Sequence, residues 1–158
     1  MFRKILVATD FSEPSDAARR MAVELARRLG AELEIVHVEE PLPAYAFAEG
    51  PLPDLPRLQE EVRSWAEREL EQQAKEARAA GIPVTTAILV GTPANAIVET
   101  ARTDGADLIV VGSHGRTGLE RVLLGSVAER IVRNAPCPVL TVRNTPGAQQ
   151  EARPKAAA

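Results

Sequence analysis

Two hydrophobic rhythms alternate along the chain. Short apolar runs at residues 4–8, 33–38, 84–90, 107–111 and 138–142 end in polar residues or glycine, as strands buried on both faces do. Between them apolar residues return about every fourth position, the helical period. From 13 to 29 the stripe is Ala17, Met21, Leu25 and Leu29 beside Ala18, Ala22 and Ala26, with Ser12 as N-cap, Pro14 in the first turn and Gly30 past the end. A second stripe, Leu58, Val62, Ala66, Leu70, Ala74 and Ala77, closes at Gly81. Gly91-Thr92-Pro93 supplies a turn, an N-cap and a first-turn proline for a helix carrying Ala94, Ile97, Val98 and Ala101, and residues 126–135 form the last helix. Pro41, Pro43, Pro51, Pro53 and Pro56, with Gly50, predict a loop without regular structure over 41–56. Residues 144–158 carry no periodic apolar pattern and are expected to be a disordered tail behind a single domain over 1–143.

Strands that are apolar on both faces and alternate with helices require a parallel sheet covered on each side, so the fold class is open α/β. In such sheets ligands sit beyond the carboxyl ends of the strands, where the winding direction reverses. Composition narrows the chemistry. The 158 residues, 45% hydrophobic, are enough for one real core. A net charge of −3 provides no basic excess for nucleic acid. No apolar run approaches the ~20 residues of a bilayer span, so a membrane is not expected. Cys137 is the single cysteine, too few for a disulfide or a structural zinc site, and it reads as a small packed hydrophobe in a cytoplasmic protein.

Two strand ends carry candidate chemistry: Ala8-Thr9-Asp10 after the first, and Val111-Gly112-Ser113-His114-Gly115 after the fourth, with Gly125-Ser126 opening the last helix. The glycines let backbone amides approach a ligand, and the free N–H groups of a helix start favour an anion. Together they describe a phosphate cradle. It is neither the P-loop G-x-x-x-x-G-K-[ST] nor the dinucleotide G-x-G-x-x-G. His37 lies inside a strand and reads as a structural histidine. Ser113, His114 and Asp10 contain the ingredients of a hydrolase triad, but Gly-Ser-His-Gly is not a nucleophile elbow.

The spacing present is Gly112-x2-Gly115-x9-Gly125-Ser126. With Lys-Ile-Leu-Val-Ala-Thr-Asp-Phe-Ser at the start, Val-His-Val in the second strand and Val-Gly-Thr-Pro after the third, it resembles the universal stress protein family over about residues 3 to 143. The resemblance implies a sheet of order 3-2-1-4-5 that binds ATP across the ends of the first and fourth strands. By it Ala8, Thr9 and Asp10 line the nucleotide, Asp10 facing the ribose or a phosphate-bound Mg²⁺, and Val38 meets adenine through its backbone. Val111, Gly112, His114 and Gly115 pass the ribose and first phosphates, and Gly125, Ser126 and Val127 the outer ones. Ala128 departs from the nucleotide-binding pattern, where a threonine adds a hydroxyl.

What the resemblance implies about function is an ATP-dependent switch or partner-binding module of the stress response, with a protein partner unnamed. Without a P-loop lysine or arginine finger, hydrolysis is expected to be slow at most. The alternatives are a slow ATPase or autophosphorylating enzyme, with Ser126 as acceptor, and a structural dimer that binds no nucleotide. By the resemblance the last strand, residues 138–143, is a sheet edge that pairs with a second copy, and Val142→Pro is expected to dissociate that homodimer if the Val142 amide pairs across the interface. The proline-rich loop, with Tyr45 and Phe47, is a candidate lid on the same edge.

Overall fold

A computed structural model describes residues 2–41, 54–113 and 124–143. The elements run β1 (Lys4–Ala8), α1 (Glu13–Leu29), β2 (Glu32–Glu39), α2 (Leu55–Ala79), β3 (Val84–Val90), α3 (Pro93–Thr103), β4 (Leu108–Gly112), α4 (Ser126–Asn134) and β5 (Val139–Val142). All neighbouring strands are parallel and their order is β3-β2-β1-β4-β5, the expected one. Because β2 and β4 flank β1 on opposite sides, the winding reverses at β1, and the crevice beyond β1 and β4 is the switch point.

The caps explain where the helices begin and end. Ser12 caps α1, its hydroxyl accepting from Ser15 N at 3.5 Å, and Gly30 ends it at φ 66°, a left-handed conformation that glycine adopts without a Cβ penalty. One expectation fails: Pro56 does not exclude regular structure but lies in the first turn of α2, whose N-cap Asp54 accepts from Arg57 N at 3.2 Å. A first-turn residue has no intrahelical N–H bond to lose, so proline there is compatible with the helix. Thr92 occupies the N-cap of α3 as expected, but its side chain makes no capping bond. The rest of the expected loop, residues 42–53 with Tyr45 and Phe47, and the 144–158 tail lie outside the described residues.

Strand alternation divides the core in two. Ile5, Val7, Leu33, Ile35 and Val110 pack with the alanines of α1 and α2. Leu6, Val36, Ile109 and Val111 pack with α3 and α4 through Ala94, Ile97, Ala128 and Ile131. Burying each large aliphatic side chain contributes about 1.5–3 kcal/mol, so this double layer fixes the strands to which the site is attached. Cys137 packs beside the second cluster, and burial raises its thiol pKa above the ordinary range, in keeping with a packing role.

The ladder shows which main-chain groups of β5 face outward. Pro138 O accepts from Ile109 N at 3.0 Å and Val142 O accepts from Ser113 N at 2.8 Å, so the main chain of Pro138, Leu140 and Val142 faces β4. By the two-residue alternation of a parallel strand, the outward groups belong to Val139, Thr141 and Arg143. Val142→Pro would therefore damage the ladder within one protomer. The residue that tests an edge pairing is Thr141.

Candidate functional site

β1 ends at Ala8, and the next four residues form a turn built from side-chain bonds. Thr9 is buried; its N–H donates to Val36 O at 2.9 Å, and its Oγ1 accepts from Phe11 N at 3.1 Å and lies 3.2 Å from Ser15 Oγ. Asp10 Oδ1 accepts from Ser12 N at 3.1 Å and from the Ser12 hydroxyl. An aspartate accepting from the amide two residues on is an Asx turn, the preference of short carboxylates after strands. Asp10 is thus half-buried at the mouth of the switch-point crevice, with one carboxylate oxygen shaping the turn.

Across the crevice, β4 ends at Gly112, and the carbonyl of buried Ser113 accepts from Gly125 N at 2.8 Å. That bond ties the start of α4 to the end of β4. Gly125 is the N-cap of α4, which has no side-chain capping bond among the described residues, and Ser126 and Val127 in its first turn are exposed. A helix start without a capping side chain leaves N–H groups directed at its amino end, a favourable position for an anion. Gly112 and Gly125 both have ordinary negative φ, so what they provide is the lack of a side chain rather than a glycine-only conformation.

β2 outruns β1. Val36 O accepts from Thr9 N toward β1, whereas Glu39 O accepts from Gly91 N toward β3. The alternation therefore turns the main-chain N–H and C=O of Val38 toward the side where β1 has already ended. Backbone groups in that position suit the edge of a flat heterocycle.

The structure therefore gathers Ala8, Thr9, Asp10, Val38, Gly112, Gly125, Ser126 and Val127 around the carboxyl ends of β1, β2 and β4. Val111 lies at the same end, but its side chain is buried in the second core cluster, which leaves its main chain as the part that can meet a ligand. His114 and Gly115 fall outside the described residues. His37 is buried with Nδ1 2.9 Å from Thr9 O, in keeping with a structural role. Two residues that sequence reasoning missed complete the neighbourhood: Phe11, at φ 61°, and Trp65 of α2, whose ring lies 4.9 Å from that of Phe11. Among the described residues no three His, Cys, Asp or Glu side chains form a metal cluster. A lone carboxylate such as Asp10 fits Mg²⁺ that arrives already bound to phosphates, not a cage made by protein alone.

A five-stranded parallel sheet of order β3-β2-β1-β4-β5, flanked by helices, defines the class as an open α/β domain. The sequence profile described as the universal stress protein family matches residues 1–143, and the chain belongs to that family. Universal stress protein MJ0531 of Methanocaldococcus jannaschii is 41% identical over 144 residues, covering 90% of this chain and 83% of the relative. The fold superposes on the solved structure of MJ0577 with a TM-score of 0.79 at 32% identity, over 92% of this chain and 98% of that one. A universal stress protein solved in complex with cAMP gives a TM-score of 0.68 at 28% identity, with coverage of 91% and 99%. The universal stress protein of Archaeoglobus fulgidus in complex with dAMP gives 0.60 at 26% identity, with coverage of 89% and 97%. Among the described residues no helix is long and apolar enough to cross a membrane.

Proposed function

We propose that this protein binds ATP with Mg²⁺ at the carboxyl ends of β1, β2 and β4 and works as a nucleotide-dependent switch that presents a surface to a protein partner in the cytoplasm. The observation that carries the reading is the α4 start: among the described residues no side chain caps it, and Gly125 N ties it to Ser113 O at the end of β4, the strand beside β1. Adenine nucleotides in complexes of two structural neighbours support the ligand class. In this reading the main chain of Val38 meets the adenine edge, Thr9 and Asp10 flank the ribose and first phosphates, and Gly125, Ser126 and Val127 take the outer phosphates. When bound, Mg²⁺ offsets the repulsion between polyphosphate and the Asp10 carboxylate.

The proposed assembly is a homodimer joined antiparallel through β5, in which the outward main-chain groups of Val139 and Thr141 pair with those of a second copy. Titration calorimetry with ATP, AMP and adenosine, each with Mg²⁺ and with EDTA, tests the ligand. Affinity rising in the order adenosine, AMP, ATP, with ATP helped by Mg²⁺, is expected; equal affinities would contradict the phosphate cradle. Multi-turnover phosphate release distinguishes a switch from an efficient ATPase.

A further inference from the structure

Phe11 is the only non-glycine residue with positive φ among the described residues. A bulky L-residue rarely adopts that conformation, so something outside the turn has to hold it. Two rings do. His37 lies 4.5 Å from the Phe11 ring and is itself fixed by its Nδ1 contact to Thr9 O, while Trp65 meets Phe11 edge-on at 4.9 Å and 73°, a favourable aromatic geometry. Trp65 comes from α2, which docks on the sheet through Ala66, Leu70, Ala74 and Ala77, and the indole itself is 40% exposed. Its ring contact is with Phe11, in the turn that carries Asp10.

We propose that Trp65 is a positioning residue for the switch-point site: by holding Phe11 in its left-handed conformation it keeps the Thr9 to Ser12 turn closed and Asp10 aimed at the crevice. Rotation of Phe11 to negative φ would move Ser12 N away from Asp10 Oδ1 and open the turn, and the proposed role of the indole is to disfavour that opening. The coupling is reciprocal, so a ligand that engages Asp10 is also felt at the exposed indole. The ligand part of this inference rests on the nucleotide reading; the part concerning the turn does not.

The test uses the full chain with Trp65→Ala and Trp65→Phe. Without nucleotide, exchange of the Ser12 amide measured by NMR should accelerate at least about tenfold in Trp65→Ala, remain near parental in Trp65→Phe, and leave the amides around Leu70 protected in both. With Mg²⁺ and ATP, calorimetry should show affinity about five- to tenfold weaker in Trp65→Ala and restored in Trp65→Phe. Trp65 is the only tryptophan, so ATP should also shift the parental indole emission. Unchanged Ser12 exchange in Trp65→Ala overturns the role of Trp65, as does unchanged ATP affinity when that exchange has accelerated. A parental protein that binds no ATP, yet whose Ser12 protection still depends on Trp65, overturns the ligand alone and retains Trp65 as the residue that holds the turn.

Discussion

The two ends of the sheet use polar side chains in opposite ways. At the amino end they fasten strands together: Asp107 Oδ2 accepts from Arg3 N at 2.8 Å and Lys4 N at 3.0 Å, joining the starts of β1 and β4, and Lys4 Nζ lies 3.0 Å from the buried carboxylate of Glu34 on β2. At the carboxyl end Thr9, Asp10, Ser12 and Ser15 bend the chain instead, around a Phe11 in a left-handed conformation, and the α4 start has no capping side chain among the described residues. One end uses its carboxylates to hold the starts of β1, β2 and β4 together. The other uses short polar side chains to shape a turn beyond β1, the proposed ligand site. If the proposed site is right, substitutions should sort by end: those at the amino end should change stability, and those at the carboxyl end should change ligand binding.

The largest separation is expected from Gly115→Val. Its warrant is the glycine spacing in the sequence, and a β-branched side chain in the cradle should weaken ATP binding at least about 100-fold by equilibrium dialysis, with little change in Tm. Lys4→Met should do the reverse. Burial pushes the Glu34 carboxyl up while Lys4 opposes it, so removing the cation strands a buried charge and should lower stability by about 2 kcal/mol in urea unfolding, with ATP affinity per folded molecule retained. An acid whose folded pKa is raised holds its proton more tightly when folded. The Lys4→Met deficit should therefore shrink as pH falls through the raised range of Glu34.

Smaller effects sharpen the same division. Asp10→Asn should weaken Mg²⁺-dependent ATP binding about tenfold and abolish the difference between Mg²⁺ and EDTA, leaving thermal unfolding near parental. Thr141→Pro should raise the dimer dissociation constant about tenfold by sedimentation equilibrium, because it removes an outward donor, with helix content retained. A parental protein that stays monomeric at high micromolar concentration would end the dimer reading. Asp107→Asn is the mildest. The backbone N–H groups of Arg3 and Lys4 hold this carboxyl below its ordinary range, so its contribution is present above pH ~4 and lost as pH falls below that value. A Tm deficit of a few degrees at neutral pH that closes in acid is expected by calorimetry.

The fold was legible because its signals are local. Ser12 and Gly30 bracket α1, and short apolar-rich runs mark every strand. Pro56 misled because a proline reads alike whether it breaks a helix or starts one, and only the Asp54 cap decides. Which amides of β5 face outward depends on the phase of its ladder with β4, and no residue type records that phase. In the site, Asp10 and the Gly112 and Gly125 pair were visible as strand-end polarity and spacing. The meeting of Phe11, His37 and Trp65 was not, because 28 residues separate His37 from Trp65 and the helical stripe singles out Ala66 as the core position beside the indole. A lone tryptophan on an otherwise charged helix is the one signal that could have pointed to it.

The central claim is that an adenine nucleotide occupies the carboxyl end of this sheet and leaves the amino end untouched. Mapping backbone amide chemical shifts by NMR during titration with ATP and Mg²⁺ tests it most directly. Perturbations should centre on Thr9 to Ser12, Val38, Gly112, Ser113 and Gly125 to Val127, with Lys4, Glu34 and Asp107 unmoved. Shifts centred on Lys4, Glu34 and Asp107, or no shifts at saturating ATP, would contradict it.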